Sequence, residues 1–244
     1  MGRWLARGWI AAEGAGLRDE DRKKAGELPG LLAELGRAID KISKSHDPLR
    51  IVDAAAGKAY AGLLAGPLVL APRARSATII AIERAAERAR AITEAAARLE
   101  VTIEVVTADV AEASLFEGAD VVVALHACGA ASDHVITGAT EARARFVLVA
   151  PCCVAADLPA SHRAAARADA LGLPRAALVR RPFVESLVMA ERALALEAAG
   201  YKTEVVAFAP SRVTPHGALL RAERVGEPGR MADAQDKLRA LQEE

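Results

Sequence analysis

Aromatic side chains are scarce in this chain of 244 residues, with two Trp, two Tyr and four Phe making up 3%. That leaves no series of stacking platforms for single-stranded nucleic acid. Cysteine is rarer still. There are three, an odd number, and two of them (Cys152 and Cys153) are adjacent. This is not a secreted disulfide framework, and a reducing, cytoplasmic setting is expected. Neither sign of charge is in excess, because 32 Lys and Arg balance 32 Asp and Glu. The basic footprint of a duplex-DNA binder is therefore missing. Long apolar runs are absent too. The charge-free stretch Ala59 to Pro72 is broken by Gly62, Gly66 and Pro67 and falls short of the roughly 20 residues of a membrane span. Near the start, Glu13 interrupts any apolar core between Arg7 and Leu17, so neither a signal peptide nor a membrane partner is expected. No internal repeat is visible. The hydrophobic fraction is 52% and the charged fraction 26%, which excludes disorder over most of the chain.

Periodicity supplies the element order. Residues 1–24 are mixed and charged, and a frayed or loosely helical start is expected. Leu28, Leu31, Leu32, Leu35, Ile39 and Ile42 are spaced for an amphipathic helix over 28–43. Short apolar runs at 49–52, 77–82, 101–106, 119–125, 145–150, 201–208 and 218–225 read as seven strands. Helical patterns stand between them at 58–70, 84–99, 132–142 (capped by Ser132 or Asp133) and 183–199, and a helical, solvated tail follows at 231–244. Residues 155–182, punctuated by Pro159, Pro174 and Pro182, read as loop and short helix. Strands alternating with helices predict an α/β, doubly wound, mostly parallel Rossmann-like sheet of seven strands. The link 209–217 is too short for a helical crossover, so the last strand should be antiparallel. The expected division is an N-terminal helical segment at 1–45, one Rossmann-like domain at 46–226, and a helical or frayed tail at 227–244.

Chemistry concentrates at the strand ends. Ile51-Val52-Asp53 runs into Ala54-Ala55-Ala56-Gly57-Lys58. A strand, a small-residue turn and a helix form a seat for a nucleotide-like ligand, because the backbone can come close and the helix offers N–H groups. Asp53 would repel a pyrophosphate but not a cationic amino-acid group, which favours S-adenosylmethionine over NAD. Glu83, at the tip of the next strand, is placed to accept ribose hydroxyls. Asp109, followed by Val110, lies beyond the third strand, where an acid could take an adenine amino group. The buried run Val121 to Leu125 then delivers His126, Ala127, Cys128 and Gly129. His126 is the candidate to orient or deprotonate a substrate nucleophile. Phe146 to Pro151 delivers Cys152 and Cys153 at the neighbouring strand end, and Cys152 is a second catalytic candidate. Adjacent cysteines rarely hold one ion and no C-x-x-C spacing exists, so no metal site is assigned. Arg180 and Arg181, before the long helix, are candidates to meet an anionic substrate.

Taken in this order, Asp53 to Lys58, Leu125-His126-Ala127-Cys128-Gly129, Pro151-Cys152-Cys153 and the late Thr214-Pro215 resemble the class I S-adenosylmethionine-dependent methyltransferases. The resemblance is to the group with a leucine-histidine-alanine-cysteine-glycine motif and a later vicinal cysteine pair, which includes domains similar to tRNA 2′-O-methyltransferases and many bacterial proteins. It covers about residues 28–225. It implies that Asp53, Ala54, Ala55, Gly57 and Lys58 form the cofactor loop. Glu83 would take the ribose, Asp109 and Val110 the adenine, and Leu125 and His126 the place of the substrate-facing motif. The implied activity is methyl transfer to an acceptor, RNA or a small molecule, with the donor lying between the first and fourth strands. Two departures stand out. Ala55 and Ala59 occupy positions where glycine is usual, so a negative φ is expected at both. Val154 stands where an aromatic or His is more common. The alternatives are a catalytically inactive Rossmann-like binding or scaffold protein, which the alanines favour, and an NAD-dependent oxidoreductase, for which the loop lacks G-x-G-x-x-G.

Overall fold

In the computed structural model the described residues are 1–9, 19–151, 154–214 and 217–243. Strands β1 (Leu49–Ala54), β2 (Ala77–Ile82), β3 (Glu104–Val106), β4 (Val121–Leu125), β5 (Phe146–Ala150), β6 (Tyr201–Ala207) and β7 (Ala218–Arg224) form one sheet in the order β3-β2-β1-β4-β5-β7-β6. β1 through β5 pair in parallel, and β7 runs antiparallel between β5 and β6. The short link after β6 forces that reversal, as its length requires.

The apolar runs are continuous because both faces of the sheet are covered. Ile51, Val121, Val123, Phe146 and Leu148 point to one face. There they meet helix α2 (Asp19–Asp40) through Leu28, Leu31, Leu35 and Ile39, and helix α3 (Tyr60–Ala65) through Leu64. Val52, Val122, Ala124, Val147 and Val149 point to the other face. That face carries α5 (Ala130–Glu141) and α7 (Arg180–Ala198), which contribute Val135, Ile136 and Leu196. A third cluster joins α3 to α4 (Ala86–Leu99) through Leu63, Ala81 and Ile92. Helix α1 (Gly2–Trp9) lies against α4, held by Arg7 on the Arg98 carbonyl and Arg98 on the Gly8 carbonyl. Helices α6 (Pro159–Ala170) and α8 (Pro228–Glu243) pack on α7.

Several boundaries differ from the sequence reading, each for a physical reason. The helix expected to start at residue 28 begins at Asp19, because Asp21 and Glu27 find partners on the sheet side and Lys24 pairs with Glu27 one turn on. The helix expected over 58–70 is α-helical only to Ala65. It then widens into a π turn at Gly66–Leu70, which holds Pro67, and closes in a 3-10 turn at Ala71–Arg73. A proline lacks the N–H that would continue the ladder. The third strand is shortened to Glu104–Val106. Neither Ser132 nor Asp133 caps its helix. α5 starts earlier, from Gly129 at φ 59, while Ser132 donates to the Ala127 carbonyl and Asp133 pairs with Arg192. Arg180 and Arg181 form the first turn of α7 rather than preceding it. Arg180 is spent on the fold, binding the Leu173 and Ala165 carbonyls and Asp169, and Arg181 pairs with Glu185. Among the described residues, no helix is long and apolar enough to cross a membrane.

Candidate functional site

Between β1 and β4 the chain order reverses, and the pairing of the two strands ends at Asp53 and Val123. In open α/β sheets this is where ligands bind. Two adjoining clefts open there. The larger, about 750 Å³, is lined by Asp53, Ala55, Gly57, Lys58, Leu125 and His126, with Lys24 and Tyr60 on the wall facing them. The smaller, about 370 Å³, is lined by Ala55, Glu83, Asp109, Val110, His126 and Cys128. Ala55, Arg88 and His126 belong to both. A concavity of this size suits a ligand of nucleoside dimensions.

Asp53 is at an inward-facing position of β1, two residues after Ile51, and points at α3 rather than into solvent. Its Oδ2 accepts the Gly62 amide at 2.8 Å. Gly62 is required for that approach, since a Cβ there would stand 3.0 Å from the same oxygen. Burial pushes the Asp53 carboxyl up to about 7, and the single amide bond only partly offsets it.

Beyond Asp53 the chain makes a tight left-handed turn, with Ala55 at φ 51, Gly57 at φ 59 and Ala59 at φ 50. The expectation of a negative φ at the two alanines is overturned. The loop keeps a conformation natural to glycine, at a cost of about 1–2 kcal/mol per alanine. What holds it is Glu83. One oxygen of that carboxylate accepts the Gly57 amide at 2.8 Å and the other accepts the Ala85 amide at 2.9 Å. Glu83 thus ties the β1 loop to the tip of β2. A carboxylate oxygen has two lone-pair directions, so each retains capacity for a hydroxyl donor. Asp109 is exposed, and its Oδ1 accepts the Ala111 amide at 3.0 Å. Ala54 is fully buried in the core beneath the loop. Cys152 lies outside the described residues, as does Pro215.

His126 adopts φ 61 at the end of β4, and its amide donates to the Ala150 carbonyl at 2.8 Å. Its Nε2 stands 2.8 Å from Oε2 of Glu27, a residue the sequence reading did not single out. The same oxygen takes Lys24 Nζ at 2.8 Å. Glu27 is only 3% exposed. Burial alone would raise its pKa, but the hydrogen bonds and charges of His126 and Lys24 prevail and hold it near 2. Nearly two turns earlier on α2, Asp21 accepts from Tyr60 at 2.9 Å and Lys58 at 3.1 Å. Asp21, Lys24 and Glu27 are spaced by three and so lie along one side of α2, from which Lys24 lines the larger cleft. The signal was present in the sequence. The stripe of Leu28, Leu31 and Leu35 extends backward into Lys24 and Asp21, which are charged residues at positions bound for burial.

A family model described as a methyltransferase domain matches residues 23–157, more than half of the chain. The chain belongs to this methyltransferase-domain family. The matched segment of the methyltransferase domain runs from within α2 past β5 and so contains both clefts, Glu27 and His126. Among solved structures, the chain is similar to an rRNA methylase from Streptococcus thermophilus, at 9% identity over 82% of this chain and 97% of that one, with a TM-score of 0.47. It is similar to the ribosomal protein L11 methylase of Lactobacillus delbrueckii subsp. bulgaricus at 15% identity over 79% and 77% of the two chains, with a TM-score of 0.45. A third is the Pyrococcus abyssi tRNA (uracil-54, C5)-methyltransferase in complex with S-adenosyl-L-homocysteine, at 13% identity over 79% of this chain and 38% of that one, with a TM-score of 0.43. No curated protein sequence matches the methyltransferase domain.

Proposed function

We propose that this domain transfers a methyl group from S-adenosylmethionine to a hydroxyl or amine acceptor carried by RNA or a small molecule. The observation that carries the reading is the pairing of two carboxylates around one small-residue turn at the β1–β4 switch. Asp53 stands buried on one side of that turn, and Glu83 is bound to the Gly57 amide on the other. These residues fit the donor. Asp53 would receive its cationic amino-acid end, Glu83 the ribose, and Asp109 with Val110 the adenine. Ala55 and Gly57 present no side chain large enough to keep the ligand off the backbone.

The bound donor would supply an electrophilic sulfonium methyl, and its departure needs no acid. The chain's own residues would therefore orient the acceptor, exclude water and remove a proton. Positioning provides much of the rate in such reactions. His126 lines both clefts and is suited to hold or deprotonate the acceptor.

Calorimetry and thermal shift with S-adenosylmethionine, and separately with NAD, test the donor. A ligand at 100 times its dissociation constant adds about 2.7 kcal/mol of stability. A shift with NAD and none with S-adenosylmethionine would replace this reading with an oxidoreductase, and no shift with either would favour a scaffold. Tritiated-methyl transfer onto separate total-RNA, protein and metabolite fractions then identifies the acceptor.

A further inference from the structure

An ionised carboxylate has no proton to give, so the nitrogen that meets Glu27 must be the protonated one. With Nε2–H bound to Glu27, the neutral His126 ring keeps its lone pair on Nδ1. Three features make this contact more than a surface ion pair. Glu27 is buried, and its Oε2 is shared between His126 and Lys24. The backbone of His126 is held at φ 61 by its bond to Ala150. Finally, Glu27 stands between two glycines that seat α2 directly on the chain after β6. A Cβ on Gly30 would overlap the Phe208 carbonyl oxygen, and one on Gly26 would press into Val213 at 2.6 Å. The helix cannot rise from the sheet without breaking that seat, so the carboxylate has little freedom.

We infer that Glu27 is a positioning residue for methyl transfer, holding His126 as the Nε2-protonated tautomer so that Nδ1 takes the proton of an O–H or N–H acceptor. The inference rests on the donor reading above. In the step it serves, the acceptor atom bonds to the methyl carbon and the carbon–sulfur bond breaks with its electron pair left on sulfur. The acceptor's proton passes to Nδ1, and the Glu27 carboxylate stabilises the imidazolium until water removes that proton. Lys24, on the same oxygen, helps to keep the carboxylate in place and ionised.

The test uses the full chain labelled with ¹⁵N-histidine, without ligand, with His126→Asn assigning the resonance. His126 should show a protonated Nε2 and an unprotonated Nδ1 when neutral; the reverse tautomer overturns the inference. Glu27→Ala should mix the tautomers. It should also cut labelled-methyl incorporation into the accepting fraction about 10–100-fold, while the dissociation constant for S-adenosylmethionine changes less than about threefold. Glu27→Gln keeps an acceptor oxygen and should recover part of the loss. Should the alanine variant fail to fold, the glutamine variant carries the test, with turnover below wild type at unchanged donor affinity. Unaltered tautomer and turnover, or equal losses of donor affinity and turnover, sink the role of Glu27 alone. Failure of the wild-type chain to bind S-adenosylmethionine sinks the donor reading, and the role with it.

Discussion

Asp53 gives the sharpest quantitative test, because its carboxyl is pushed from 3.8 up to about 7 by burial. An acid whose folded pKa lies above its unfolded one binds more protons folded than unfolded. The native state therefore loses stability as pH rises from about 4 to about 7. Each unit is worth 1.36 kcal/mol, so the full penalty is about 4 kcal/mol, of which roughly 2.5 kcal/mol falls between pH 5 and pH 8. Asp53→Asn removes the titration, and the amide oxygen can still accept from Gly62. Urea unfolding at pH 5, 6.5 and 8 should show this component of the wild-type stability declining and the variant free of it, so that the variant is the more stable at pH 8. A ligand that brings a cation to Asp53 must ionise it. S-adenosylmethionine affinity should consequently rise nearly tenfold per unit up to about pH 6.5 and level off above pH 8, and the variant should lose both the binding and its slope. Identical pH profiles for wild type and variant would refute the burial argument. A wild-type affinity indifferent to pH would refute the placement of the donor's cation.

His126→Ala should lower turnover by about 100-fold or more while S-adenosylmethionine affinity, measured by calorimetry, changes little; the opposite pattern would make His126 part of the donor site. Ala55→Gly should stabilise the chain by about 0.5–1 kcal/mol, since the left-handed cost it removes exceeds the chain entropy glycine adds, and a lowered melting temperature would mean the turn is not left-handed. Gly30→Ala should destabilise by roughly 1–3 kcal/mol or more and, because α2 must lift off Phe208, should also disturb the His126 ring signals; a variant with unchanged melting and spectra would show that the helix is not seated there.

The sheet was legible because its information is local. Four of the parallel strand runs end in or beside a polar residue at the same edge, and the brevity of 209–217 dictates the reversal of β7. Asp53, Glu83 and His126 could be named from their places at strand tips. What escaped was non-local. The apolar stripe running back through Lys24 to Asp21 hints at burial, but the partners of Asp21 and Glu27, which are Tyr60, Lys58 and His126, lie far off in sequence. The tight turn escaped for a different reason. Alanine prefers negative φ, but the amide of Gly57 is fixed by Glu83 from another strand, and the tertiary bond outweighs the local preference. Likewise the cap assigned to Ser132 or Asp133 failed because Arg192, a buried residue of α7, claims Asp133 and the Gly129 carbonyl instead.

Two buried carboxylates on the same side of the sheet thus end in opposite states. Asp53 receives a hydrogen bond from a neutral amide, and burial wins. Glu27 is as hidden from solvent, yet the His126 ring and the Lys24 ammonium share its oxygen, and pairing wins. Environments that drive two acids apart divide their work. Glu27 is ionised across the physiological range and can act as a fixed orienting charge before any ligand arrives. Asp53 is only partly charged near pH 7, and a cation beside it would complete its ionisation. Negative charge at Asp53 would then develop as a cationic ligand enters, whereas the diphosphate of a dinucleotide would be repelled by that charge and would favour the neutral acid. That difference separates the two nucleotide-like ligands by the charge each brings to one buried oxygen.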